Sequence, residues 1–104
     1  MGKTMTEHSL ASHVRDVLVK QGESDELEYN ESVETSMNKL GISRQDILRW
    51  IRTSALRNIS IQRNQVKCSI RAQHAHWQIT IRFRGELDQH DVLFSVQEID
   101  FRLQ

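Results

Sequence analysis

Two imidazoles and two guanidiniums recur at alternate positions late in the chain: His74, His76, Gln78, Thr80, Arg82 and Arg84. In a single extended strand a period of two sends all six side chains to one side. An imidazole beside a guanidinium is a kit for metal-free RNA cleavage. The neutral ring accepts a 2′-hydroxyl proton while the arginine stabilises the pentavalent phosphate. The row therefore makes His74, His76, Arg82 and Arg84 the catalytic candidates, with Arg71 on the preceding strand as a neighbour. The plain alternative is a solvated sheet face. His74 and His76 could also place two nitrogens on one metal ion, with His90-Asp91 adding ligands. Zinc needs three or four such groups, and no spacing here shows that they converge. No metal and no cofactor is expected.

The other reactive types read as structural. Cys68 alternates with Val66 and Ile70, the setting of a buried, inert thiol. As the single cysteine it forms no internal disulfide. His8 and His13 are five apart and do not share a helix face. Trp50 and Trp77 read as core or core-edge residues rather than stacking platforms for bases.

The 104 residues carry 14 Lys+Arg and 14 Asp+Glu, a formal net charge of zero that first argues against a nucleic-acid binder. The distribution overturns that inference. Six acids and no base lie between Glu23 and Glu34. Between Arg44 and Arg84 there are nine bases against the single acid Asp46, a net +8. Eight of the nine are arginine, whose planar fork suits phosphate and carboxylate. Arg44, Arg49, Arg52, Arg57, Arg63, Lys67 and Arg71 are thus the candidate contacts for a nucleic acid or an acidic protein surface. If Glu23–Glu34 folded over that surface it would compete with phosphate.

Elements must position these groups. Leu10, Val14, Val17 and Leu18 mark an amphipathic helix over Glu7–Lys20 that ends near Gly22. A polar linker, Gln21–Tyr29, follows. Asn30 caps a second helix with Val33, Met37 and Leu40 on one face, closed by Gly41. Ser43 and Asp46 form a capping-box variant opening a third helix, whose buried stripe is Ile47, Leu48, Ile51 and Ala55 with Trp50 on a flank. After Asn58 the pattern turns to alternation: a short strand at Ile59–Ile61, a turn at Asn64-Gln65, and strands around Val66–Ile70 and Trp77–Phe83. A polar turn is expected over Gly85–His90, then a last strand from Val92 that continues to Leu103. Helices followed by an antiparallel meander indicate an α+β fold, two to three helices on a sheet of three to four strands. Residues 1–22 form the leading helix and 23–104 a single domain. No run approaches the ~20 apolar residues of a membrane span, and the first residues lack a signal-peptide core, so the expected compartment is the cytoplasm.

The segment Leu27–Ile47, LEYNESVETSMNKLGISRQDI, resembles the opening of small domains allied to BrnT and RelE toxins. The likeness rests on Leu27, Glu28, Tyr29, Met37, Gly41, Ile42, Ser43 and Asp46-Ile47. It implies a RelE-like fold, helices on one face of an antiparallel sheet whose basic open face grips RNA. It also implies a metal-free endoribonuclease activity and a cognate inhibitor protein. Two family positions differ: Ser32 stands where the helix usually carries His, and Ser36 where Arg precedes Met. The chain is then either an enzyme using other side chains or a non-enzymatic interaction module of a mobile element. A third reading takes MNKLGISRQDILRWIR as a helix-turn-helix, with Arg44, Gln45, Arg49 and Arg52 facing a DNA groove and a dimerising sheet behind. In each reading the last strand, Val92–Leu103, offers an edge for pairing with a second copy.

Overall fold

The computed structural model describes residues 7–88 and 91–104. Helix α1 (Glu7–Glu23) precedes a two-residue strand, β1 (Glu28–Tyr29). Helices α2 (Glu31–Leu40) and α3 (Arg44–Thr53) follow. Strands β2 (Arg57–Gln62), β3 (Gln65–His74), β4 (Trp77–Asp88) and β5 (Asp91–Leu103) complete the chain. The class is α+β. One five-stranded sheet runs in the order β1-β5-β4-β3-β2, antiparallel throughout except that β1 lies parallel to β5.

The helix boundaries follow from capping chemistry. Asn30 accepts the Val33 N–H at 2.8 Å, satisfying one of the donors a helix start leaves open. Gly41 ends α2 at φ 69°, a left-handed conformation that glycine adopts without a Cβ penalty. Ser43 accepts from the Asp46 N–H, and the Asp46 carboxylate accepts from the Ser43 N–H, a reciprocal capping box. The Ser43 backbone hydrogen bond is the main reason the Asp46 carboxyl titrates below its usual range.

The helices bury one face of the sheet. Ile79, Ile81 and Phe83 of β4, Val66, Cys68 and Ile70 of β3, and Phe94, Val96 and Ile99 of β5 form the sheet side of the core. Val14, Leu18, Val33, Met37, Leu40, Ile47, Trp50 and Ile51 close it from the helices.

Several expectations are corrected. The sheet has five strands rather than three or four, because Glu28–Tyr29, expected within the linker, runs beside Ser95 and Val96. The third helix stops at Thr53, leaving Ala55 exposed beyond it, and Trp50 is buried rather than flanking. The β2–β3 turn falls at Arg63-Asn64, one residue early, since Gln65 is already paired with Gln62. Gly85 lies within β4 rather than opening a turn. It pairs with Phe94, and a Cβ there would stand 2.6 Å from Val92 and 2.7 Å from the Phe94 ring. The rest of that expected turn includes His90, which lies outside the described residues.

The last strand does continue to Leu103, through a bulge. Arg82 is opposite Glu98 while Phe83 is opposite Val96, so Gln97 is an extra residue. The insertion shifts the alternation by one. That is how Ile99, at an odd position, joins Phe94 and Val96 in the core.

Candidate anion-binding face of the sheet

The other face of the sheet carries the even-numbered residues of β4 and their partners. Register places Lys67 opposite Arg84, Ser69 opposite Arg82 and Arg71 opposite Thr80. Arg57 lies beyond Ser69 on β2. No helix packs over these residues, because all three helices lie against the core face. A depression of about 350 Å³ sits among Lys67, Ser69, Arg82, Arg84, Asn58 and Gln97. Lys67, Arg82 and Arg84 thus bring three cationic groups to the rim of one hollow.

The cations are held but not saturated. Arg82 pairs with Asp100 and, at 3.7 Å, with Glu98; Arg84 reaches Glu86 at 3.3 Å. Such exposed pairs are worth only about 0–1 kcal/mol each. An incoming anion can therefore displace them at small cost. Arg84 also buries its Nε without a hydrogen-bond acceptor, a group that an anion could satisfy. The face is graded: Lys67 and Arg71 stand on the β3 side, while Glu98 and Asp100 line β5 and Glu28 sits on β1.

The histidines do not join this row. His74 ends β3 on the helix side, edge-on to Trp50 at 5.8 Å between ring centroids. His76 sits in the two-residue turn Ala75-His76, with Ala75 at φ 55°. Only Gln78, Thr80, Arg82 and Arg84 of the expected row share the open face. A two-residue turn pairs His74 with Trp77, and paired residues lie on the same face. Even positions of β3 therefore match odd positions of β4. The signal was present in the sequence: apolar residues are even at 66, 68 and 70 but odd at 79, 81 and 83. Asn58 and Ser69, which line the depression, carried no sequence signal of their own.

Among the described residues no three His, Cys, Asp or Glu groups assemble as a metal site. Burial pushes the Cys68 thiol up to about 12, which removes the thiolate a nucleophile needs. Among the described residues no helix is long and apolar enough to cross a membrane.

The remaining arginines face elsewhere. Arg44 donates to Asp25 at 2.9 Å and to Glu34 at 3.1 Å, and lies 4.5 Å over the Tyr29 ring. Those carboxylates hold the Arg44 guanidinium above its ordinary value, Asp25 most of all. Burial is the main cause raising the Tyr29 phenol, with Arg44 pulling the other way. Arg49 pairs with Asp46 and Arg52 with Glu23. The acidic segment thus meets Arg44 and Arg52 of α3, and the basic run divides between a helix layer and the open face of the sheet.

No family model, curated protein or solved structure matches the chain significantly. None of these comparisons links the chain to BrnT or RelE domains.

Proposed function

We propose that the protein is an RNA-contacting module that holds the phosphate backbone on the open face of its sheet. The carrying observation is the hollow ringed by Lys67, Arg82 and Arg84, with Arg71 and Arg57 on the same face. A layer of helices behind an antiparallel sheet, with the basic face left open, is also the arrangement that the BrnT/RelE resemblance implies. The described open face presents no aromatic ring: Trp77 and Phe101 lie on the opposite side, 5.3 Å apart. Contact is therefore with backbone charge rather than by base stacking. Binding is favoured over cleavage because His74 and His76 stand away from Arg82 and Arg84, and Ser32 and Ser36 replace the family's helix His and Arg. The helix-turn-helix reading has less support because, among the described residues, Arg44, Arg49 and Arg52 gather around no comparable hollow, and Arg44 is held by two carboxylates and the Tyr29 ring.

The test is anisotropy of a fluorescent single-stranded RNA at rising salt. With ~4 phosphates engaged, affinity should fall about fifty-fold between 50 and 200 mM salt. Lys67→Ala and Arg84→Ala should each weaken binding and lower the salt slope by about 0.7, the share of one phosphate on a single strand. Arg52→Ala, on the helix side, should leave both unchanged. Equal loss with Arg52→Ala, or no binding at low salt, would sink the reading.

A further inference from the structure

We propose that the outer edge of β5, from Ile99 to Leu103, pairs antiparallel with the same edge of a second copy about a two-fold axis at Phe101. The edge is closed with care up to Gln97 and left open after it. Gln21 donates to the Val92 carbonyl and accepts the Phe94 N–H at 2.9 Å. Strand β1 covers Ser95 and Val96, and Asn30 donates to the Gln97 carbonyl at 3.2 Å. Among the described residues no strand lies beside Ile99–Leu103.

The backbone there has the right phase. Gln104 N–H donates inward to the His76 carbonyl at 3.1 Å. Antiparallel ladders alternate, so residues 102, 100 and 98 also turn inward, while Ile99, Phe101 and Leu103 turn N–H and C=O outward. A two-fold at Phe101 makes Phe101 opposite Phe101, and Ile99 opposite Leu103, into hydrogen-bonded pairs. Asp100 of one copy then faces Arg102 of the other in a non-hydrogen-bonded pair, where side chains approach most closely. The edge is thus complementary to itself in hydrogen bonds and in charge.

Apolar exposure points the same way. Leu103 is 67% exposed and Phe101 37%, and the pairing would set both against apolar partners across the axis. The opposite edge of the sheet fits a second copy poorly. Strand β2 has a register shift between Arg57 and Ser60, with Asn58 at φ 54°; Arg57 opens it and Arg63 follows it, and its residues Arg57–Gln62 include no acid. Such bulges and like charges keep edges apart.

Light scattering on the full chain tests the pairing, with circular dichroism to check folding. The wild-type chain should approach twice its 12.2 kDa as concentration rises. Arg102→Glu places acid against Asp100 and should be monomeric. Asp100→Arg places base against Arg102 and should be monomeric too. Mixed in equal amounts, the two variants regain both charge pairs and should form a one-to-one heterodimer. A wild-type chain that stays monomeric at the highest concentration reached would overturn the proposal. So would an Arg102→Glu chain that dimerises like wild type, or a mixture that stays monomeric.

Discussion

Gln21 offers a sharp test of how the sheet is held to the helices. Its side-chain amide is buried and bonded on both sides, donating to the Val92 carbonyl and accepting the Phe94 N–H. It takes the place of a peptide group in a neighbouring strand, at a distance of 73 residues along the chain. Gln21→Leu keeps roughly the volume and removes both bonds. A buried, orphaned N–H costs about 1–3 kcal/mol and the half-buried carbonyl about 1 more. The gain in apolar burial offsets about 1 kcal/mol. The expected loss is about 1–3 kcal/mol, or about 5–20 °C in Tm for a domain of this size. Gln21→Glu separates hydrogen bonding from packing. At pH 7 its carboxylate can accept from Phe94 but sets a second oxygen against the Val92 carbonyl. Once protonated it can donate and accept as the amide does. Burial and that facing carbonyl raise the introduced carboxyl in the folded state above the ~4.3 of an unfolded glutamate. The recovered stability is fully present below the unfolded value and is lost as pH rises through the folded one. Urea unfolding at pH 4 and pH 7, each relative to wild type, should show Gln21→Glu recovering in acid and Gln21→Leu not. Exchange of the Phe94 amide should accelerate in Gln21→Leu. A Gln21→Leu chain within about 0.5 kcal/mol of wild type would refute the argument, since that is the scatter of ordinary surface substitutions.

Two further outcomes follow from the titrating groups. Asp46, held low by its bond from Ser43, contributes stability present above its unfolded pKa and lost as pH falls through its folded one. The stability gap between wild type and Asp46→Ala, about 1 kcal/mol at neutral pH, should therefore close in urea titrations run from pH 5 down to pH 2. Cys68, with its thiol pushed up to about 12, should resist a thiol reagent at pH 8 in the native protein and react at the rate of unfolding, so rapid labelling without denaturant would contradict its burial.

Much of the fold was legible because its signals are local. Asn30, Gly41 and the Ser43–Asp46 pair each act within four residues, and each does what its chemistry requires. Alternation likewise located the long strands. Features that depend on distant partners were harder to read. Two residues of β1 carry too little pattern to register as a strand and gain their role only from β5. Gly85 looks like turn punctuation until Phe94 is known to cross it. The candidate site suffered from the same limit. The row from His74 to Arg84 crosses a turn, and that turn exchanges the faces, so the histidines and the arginines part. Charge runs likewise say nothing of three-dimensional partition: Arg44 and Arg84 belong to one basic stretch in the sequence and to different layers of the protein.

The order of the strands also bears on how the chain folds. From β2 to β5 each strand pairs with the next through a short connection, so this meander can assemble from neighbouring segments with little loop-closure entropy. By contrast, β1 reaches β5 across 67 residues, as the Asn30–Gln97 bond shows, and α1 reaches it across 71 and 73 through Gln21. Closing such loops costs more and is rewarded later. On loop-closure cost alone, the amino-terminal third is expected to dock last and detach first. Its detachment would uncover both the β5 edge at Val92–Gln97 and the apolar face of the meander that Val14, Leu18 and Val33 cover.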